Sequence, residues 1–361
     1  MSRTKIVIMS DVHMNDRNVD YSWCTDPLPK YVTDFLNHLA DRPDVAELVL
    51  TGDIFDTWLY PVNARPVTQP QTILDEYYPD IREALQHCFQ VEDLKIYYIN
   101  GNHDMSVTQE ELNAILNNRM VQISSDEYQR IHPNLRIEHG HEVDMFNARP
   151  SREQLDDTIA GYPLGYFITR IYASSEDIET QRRLLETMLR EHHQKLDGNE
   201  LIGVFDNTLG KILVHSIIDG LSIKAGLSDD TRIQMPDGIE DTSIGDVKDR
   251  YHTLLEYWWN RTERVGKHAI EKRLERLLDY MLVSVRKKHD PLDWYAKEFF
   301  NSDKNIEGVV FGHTHHSEEI PHGESQCYAN DGCWCHRNSA PTWIEADATD
   351  LPKSLVIHQF G

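Results

Sequence analysis

Residues 96–104 read Ile96-Tyr97-Tyr98-Ile99-Asn100-Gly101-Asn102-His103-Asp104, a short β-rich apolar run that breaks at a glycine and passes straight into an amide, an imidazole and a carboxylate. The tetrapeptide Gly-Asn-His-Asp has an accidental expectation of about 0.002 in a chain this long at even residue usage. Units of the same kind recur on either side of it. Ile6–Met9 leads to Asp11-Val12-His13, Leu48–Leu50 to Gly52-Asp53-Ile54-Phe55-Asp56, and Val309–Phe311 to Gly312-His313-Thr314-His315. A further run, Leu135–His139, ends in His139-Gly140-His141.

These runs lack polar alternation and are separated by helical patterns such as Tyr31–Ala40 and Ile81–Phe89. They predict strands buried on both faces of an α/β sandwich. Gln326–Ala329, Thr342–Ala346 and Leu355–His358 add later strands that need the first half to complete a sheet. Between Ser151 and about Ser302 the strand signal nearly vanishes. Glu179–Leu196 and Val247–Lys288 instead carry apolar residues at three- and four-residue steps. The expected organisation is an α/β domain of residues 1–148 and 303–361, interrupted by a helical insertion over 149–302 that caps it. Residues 228–242 are acidic and turn-rich and predict an exposed connection.

A length of 361 residues suits about two domains, or one large domain with an insertion. With 40% hydrophobic and 27% charged residues, disordered, collagen-like and disulfide-scaffold classes are excluded. The 36 Lys+Arg against 60 Asp+Glu give a formal charge of −24, which repels polyanions and disfavours long duplex nucleic acid as a partner. No run of about 18 uncharged apolar residues exists, so no transmembrane helix is expected. The first apolar run is too short for a signal peptide, and five cysteines do not make a disulfide framework. A reducing cytoplasm is the expected compartment.

Loops leaving the carboxyl ends of neighbouring strands converge on one crevice in α/β proteins. Residues two apart at an extended strand end project to the same side, so Asp11 with His13, and His313 with His315, can each present two ligands together. The donors are oxygen and nitrogen only, which suits Mn²⁺, Fe or Zn²⁺ rather than a cysteine-rich structural site. Seven or eight such donors exceed what one ion needs and suffice for two ions sharing a carboxylate.

The ordered series Asp-x-His, Gly-Asp-x-x-Asp, Gly-Asn-His-Asp, His, Gly-His-x-His resembles the calcineurin-like metallophosphoesterase superfamily, over roughly residues 4–145 and 305–361. That resemblance implies a four-layer α/β/β/α sandwich around two divalent ions. One ion would take Asp11, His13, Asp53 and His315. The other would take Asn102, His139 and His313, with Asp53 bridging. The family's His-Gly arrangement favours His139 over His141 at the fourth station. His103 would donate a proton to the leaving oxygen, oriented by Asp104 or a neighbouring acid, and Asp56 would fix the orientation of a ligand. Paired dications about 3.5–4 Å apart activate a bridging water as hydroxide nucleophile and clamp the phosphoryl oxygens.

Other features read more plainly. His141, His316, His192, His193 and His215 are expected not to be ligands. Cys327, Cys333, Cys335 and His336 raise the idea of a third, structural zinc. The Cys-x-Cys spacing departs from the usual Cys-x₂₋₄-Cys, so reduced thiols packed near the sheet are expected. Residues 328–334 resemble a Tyr-x-Asn-x-Gly-x-Trp stretch that follows Gly-His-x-His in several branches of the superfamily. There it is part of the sheet, with the Asn near the site. The aromatic concentrations at Tyr162–Tyr172 and Tyr257–Trp259 predict helix packing, a cap over the metals that contacts the non-phosphate part of the substrate, or both. Arg149, Arg152 and Arg170 are candidate phosphate contacts. The expected activity is hydrolysis of a phosphomonoester, a small phosphodiester or a nucleotide-linked pyrophosphate. The rivals are a nuclease of the same fold and a catalytically silent scaffold.

Overall fold

The computed structural model describes residues 3–116, 118–149, 161–177, 180–181, 183–185, 187–188, 190–191, 207–262, 270–283, 289–337 and 339–360. The chain divides into two compact units: residues 1–57, 67–141 and 288–361 form the first, and residues 58–66 with 142–287 form the second. In chain order the strands are β1 (Lys5–Met9), β2 (Val45–Thr51), β3 (Lys95–Ile99), β4 (Met120–Gln122), β5 (Leu135–Ile137), β6 (Arg232–Ile233), β7 (Thr242–Ser243), β8 (Gly308–Phe311), β9 (Glu318–His322), β10 (Gln326–Asn330), β11 (Thr342–Asp347) and β12 (Val356–Gln359).

The first unit holds two sheets, ordered β12-β11-β1-β2-β3-β4 and β5-β8-β10-β9. Strands β1 to β4 run parallel, with Val7 beside Leu48 and Leu48 beside Ile96, while β11 and β12 add an antiparallel edge. In the smaller sheet β5, β8 and β10 are parallel and β9 is antiparallel to β10. Side chains alternate across each strand. Val7, Met9, Leu48, Leu50 and Ile96 therefore pack with Val32, Phe35, Leu36, Leu39, Ile81 and Leu85 from helices Leu28–Ala40 and Pro79–Gln90. Their neighbours Ile6, Ile8 and Val49 face the other way, into a core shared with Leu135, Ile137, Val310 and Ala329 of the second sheet. On the outer face of that sheet, Phe311 stacks on Tyr295 of helix Asp293–Ser302 at 5.5 Å between ring centres. The expected order of helix, sheet, sheet and helix is thus observed. Strands β4 and β9 were not signalled by the sequence.

The second unit is built mainly from helices Leu164–Ala173, Asn207–Lys224, Ile244–Tyr251, Leu254–Arg261 and Ile270–Leu282. Tyr162, Tyr166, Phe167, Tyr172 and Trp258 are buried, in keeping with a packing role for the aromatic concentrations. Two expectations are corrected here. The stretch over 228–242 is no simple exposed connection, because β6 pairs with β7 and leaves Ile233 and Met235 fully buried. Arg170 is no phosphate contact. It is fully buried, and its guanidinium donates to the carbonyls of Tyr60 (2.7 Å), Gln234 (2.8 Å), Pro61 (2.8 Å) and Ala64 (2.5 Å) and to Tyr166 Oη (2.6 Å). A planar fork with five donors suits that cage of carbonyls. Arg149 is exposed, whereas Arg152, His192 and His193 lie outside the described residues. No described helix is long and apolar enough to cross a membrane.

Candidate metal centre

The parallel direction of β1, β2 and β3 brings their carboxyl ends to one edge of the larger sheet. The loops beyond them continue to pair: Asp11 N–H donates to Gly52 O (3.1 Å), and His13 N–H to Asp53 O (2.9 Å). Three hydrogen-bond-range contacts then join these loops to those after β5 and β8. His139 Nδ1 lies 2.8 Å from Thr51 O, His313 N–H donates to Asp11 Oδ2 at 3.0 Å, and His13 Nε2 lies 3.1 Å from His315 Nε2. With His103 N–H donating to Asp53 Oδ1 at 2.8 Å, five stations distant in sequence meet at one place.

Close approach sets the local backbone. Gly52 has φ +82°, and a Cβ there would sit 2.5 Å from Gly101 N and 2.7 Å from His139 Nδ1. Among the described non-glycine residues, seven have positive φ, and five of these are Asp11, His13, Asp53, His313 and His315, at 54°, 57°, 53°, 67° and 56°. The left-handed region costs an L-residue about 1–2 kcal/mol. Such conformations cluster where the surroundings over-determine them, as at sites that aim side chains at a common point.

The donor atoms form three groups, each within 4.8 Å: Asp11, His13 and His315; His13, Asp53 and His103; and Asp53, His139 and His313. Asp53 belongs to two of them. Its Oδ2 lies 3.2 Å from His139 Nε2 and 3.7 Å from His13 Nε2, and its Oδ1 accepts from His103 N–H at 2.8 Å. Asn102 Oδ1 stands 3.1 Å from His139 Nε2. His141 lies beside this cluster, 5.4 Å from His139 and 6.4 Å from His313 between ring centres. Of the two alternatives at the fourth station, His139 is the one whose nitrogen meets Asp53 and Asn102.

Hydrogen-bond valence shows what the arrangement requires. A carbonyl only accepts, so His139 carries its proton on Nδ1 toward Thr51, and its Nε2 then faces Asp53 Oδ2 and Asn102 Oδ1. Three acceptors pointed at one another repel unless a positive charge lies among them. The same holds for His13, whose Nδ1 meets Asp56 Oδ2 at 2.9 Å and whose Nε2 turns toward Asp11, Asp53 and His315. Asp11 Oδ1 is buried with no hydrogen bond, although His315 Nε2 is 3.0 Å away. Without a metal ion, protonated imidazoles supply the missing charge. Burial would lift the Asp11 carboxyl, yet His315 and His139 hold it well below the usual range. Burial would lower His139, yet Asp53 and Asp11 carry it up to about 10. Divalent cations meet the same demand and leave the imidazoles neutral, as ligands must be. The residues present therefore fit a pair of metal ions.

The acid at the His103 ring is Asp56, whose Oδ1 lies 2.8 Å from His103 Nδ1. This corrects the expectation for Asp104. That carboxylate is fully buried behind the loops, where Oδ1 accepts from Gly101 N–H (2.7 Å) and Oδ2 accepts from Ile54 N–H (2.9 Å) and Tyr98 Oη. Asp104 shapes the turns on which Asn102 and His103 sit and does not engage the His103 ring. Asn330 has a similar part, donating to Gly312 O (2.7 Å) and Thr314 Oγ1 (3.1 Å).

Two neighbours were missed in the sequence. Asp331 accepts from Ser10 Oγ at 2.7 Å, and burial together with the Asp11 charge raises its carboxyl well above the usual range. Trp23 sets its ring 4.7 Å from that of His13, 5.6 Å from His315 and 5.9 Å from His103. A lone Trp and an Asp beside an Asn have no periodicity or spacing to mark them.

The family model described as calcineurin-like phosphoesterase matches residues 4–201. No curated protein matches the chain at a significant level. Among solved structures, a dimetal phosphatase from Danio rerio is similar at 10% identity, over 99% of each chain, with a TM-score of 0.38. A nuclease from Pseudomonas putida is similar at 14% identity over 38% of this chain and 54% of that one, with a TM-score of 0.25.

Proposed function

This chain belongs to the calcineurin-like phosphoesterase family, and we propose that it is a hydrolase of phosphate esters working with two divalent ions. The carrying observation is the position of Asp53, whose carboxylate belongs to two separate clusters of imidazole and carboxylate donors. Asp11, His13, Asp53 and His315 would hold one ion, and Asn102, His139 and His313 the other, with Asp53 shared. When bound, such a pair supplies an activated water and neutralises the charge of the phosphoryl oxygens. Mn²⁺, Fe and Zn²⁺ all suit this donor set.

The chain's own groups do the rest. Asp56 fixes the tautomer of His13, so that Nε2 is the nitrogen turned to the centre. The same carboxylate engages Nδ1 of His103, which directs Nε2 of that ring as the proton donor to the departing alkoxide. The backbone N–H of His103, donated to Asp53 Oδ1, ties the proton donor to the shared carboxylate. The substrate class is a phosphomonoester, a small phosphodiester or a nucleotide-linked pyrophosphate. The formal −24 charge opposes long duplex nucleic acid.

A panel of these esters assayed with Mn²⁺, beside the His103→Ala variant, tests the reading. We expect turnover of at least one class, falling about 10²–10⁴-fold in the variant while metal binding persists. Equal turnover by the variant removes His103 from its role, and an inert parent removes the hydrolase.

A further inference from the structure

A donor set of a different chemical kind lies against the same site. Cys333, Cys335 and His336 meet His315, with one ligand atom from each of the four lying within 4.8 Å of the others. Local packing explains how they come together. Trp334 N–H donates to Asp11 O at 3.0 Å, and its fully buried ring packs against Phe35 (4.8 Å) and Phe360 (5.9 Å). The residues on either side of it, two apart, reach the same cluster. Both thiols are free and buried, and His336 is half-buried. Cys327 takes no part, since it belongs to the core between the two sheets.

His315 connects the two donor sets. Its Nε2 faces Asp11 Oδ1 (3.0 Å) and His13 Nε2 (3.1 Å), whereas its Nδ1 stands 3.6 Å from Cys335 Sγ. Around a tetrahedral zinc, with Zn–S of about 2.3 Å and Zn–N of about 2.0–2.1 Å, a sulfur and a nitrogen ligand are separated by about 3.6 Å. Spacing along the chain shows only Cys-x-Cys-His. The fold adds a fourth ligand from twenty residues upstream.

We propose that Cys333, Cys335, His336 and Nδ1 of His315 bind a further transition-metal ion, zinc by the character of the donors, next to the paired centre. Two thiolates and two imidazoles form the closed tetrahedral set of a structural zinc, while the donors around Asp53 mix imidazole nitrogens with carboxylate and amide oxygens and include no thiolate. Binding releases the thiol protons of Cys333 and Cys335 to solvent, so that two thiolates and two imidazole nitrogens surround the dication; His315 keeps its proton on Nε2, facing Asp11 Oδ1, and gives it up only when Nε2 also holds an ion of the paired centre. With four protein ligands and no open position, this ion fastens residues 333–336 to the loop after β8 and holds the His315 ring in place. It does no chemistry of its own.

The test strips the full chain with a chelator and reloads it with Co²⁺ under reducing conditions. Thiolate ligands give an intense near-ultraviolet sulfur-to-cobalt charge-transfer band that oxygen and nitrogen ligands do not. We expect that band in the parent chain, its loss on adding Zn²⁺, and its absence from the Cys333→Ser/Cys335→Ser double variant, with bound cobalt falling by one ion per chain. His336→Ala alters a half-buried side chain and serves where the double variant fails to fold by circular dichroism. It should weaken the band and keep the remaining cobalt. A parent without the band overturns the proposal, as does a folded double variant with unchanged cobalt content. So does a denatured, unreduced parent chain with two thiols fewer than its five cysteines. None of these readouts involves turnover, so they stand or fall apart from the phosphoesterase reading.

Discussion

Oδ1 of Asp56 lies 2.8 Å from Nδ1 of His103, while Oδ2 of the same carboxylate lies 2.9 Å from Nδ1 of His13. One buried acid thus sets the ring orientation both of a proposed ligand and of the proposed proton donor. In Asp56→Asn, one of the two imidazole N–H groups faces an amide NH₂ and must change tautomer or turn away. We predict a loss of about 10–100-fold in Mn²⁺ affinity, read by calorimetric titration. A fall in kcat at saturating metal should accompany it. Parental affinity together with parental kcat would contradict the double role.

Asp104 is predicted to act on stability. Replacing it with Ala strips the buried N–H groups of Ile54 and Gly101 and the hydroxyl of Tyr98 of their acceptor. Each buried donor left without a partner costs about 1–3 kcal/mol. Thermal unfolding should therefore move down by several degrees. Asp104→Asn keeps one acceptor oxygen and should lie between the variant and the parent. An Ala variant melting with the parent would show that these bonds add nothing.

Gly52 makes a geometric prediction. Its φ of +82° and the contacts a methyl group would make with Gly101 and His139 leave Gly52→Ala nowhere to go without moving the His139 ring. We expect weaker Mn²⁺ binding and a lower melting temperature together. A variant with intact metal affinity would mean that the loops after β2 and β3 yield easily.

Asp290 carries a pH signature. Burial lifts its carboxyl to about 7 from the ordinary 3.8, against the opposing hydrogen bonds from Thr314 Oγ1 and Leu292 N–H. Between these values the folded chain keeps a proton that the unfolded chain gives up, so this group's contribution to stability falls as pH rises through the window. Asp290→Asn removes that titration. Relative to the parent, the variant should gain stability from about pH 4 to pH 7, by on the order of 4 kcal/mol at most. Denaturant unfolding at several pH values measures the difference, and a constant offset would refute the assignment.

The proposed ligands were legible because each follows an uninterrupted apolar strand and a tight turn, as in Ile96–Asp104. Parallel pairing of β1, β2 and β3 then makes sequence order a guide to position. What stayed hidden depends on partners distant in sequence. Asp104 sits next to His103 in the chain, yet the turn sends its side chain to Ile54 and Tyr98, and Asp56 arrives from β2 instead. Arg170 looks like any surface arginine until the carbonyls of Tyr60, Pro61 and Ala64 close around it. Strands β4 and β9 are short or half-exposed, with patterns too weak to distinguish from loop. Nor does anything in residues 58–66 reveal that they cluster with the second unit.

Anomalous diffraction from a crystal of the full chain soaked in Mn²⁺ tests the central claim most directly. The account predicts two manganese peaks flanking the Asp53 carboxylate, one among Asp11, His13 and His315 and the other among Asn102, His139 and His313. A single peak, or two peaks with Asp53 bound to only one of them, would contradict it.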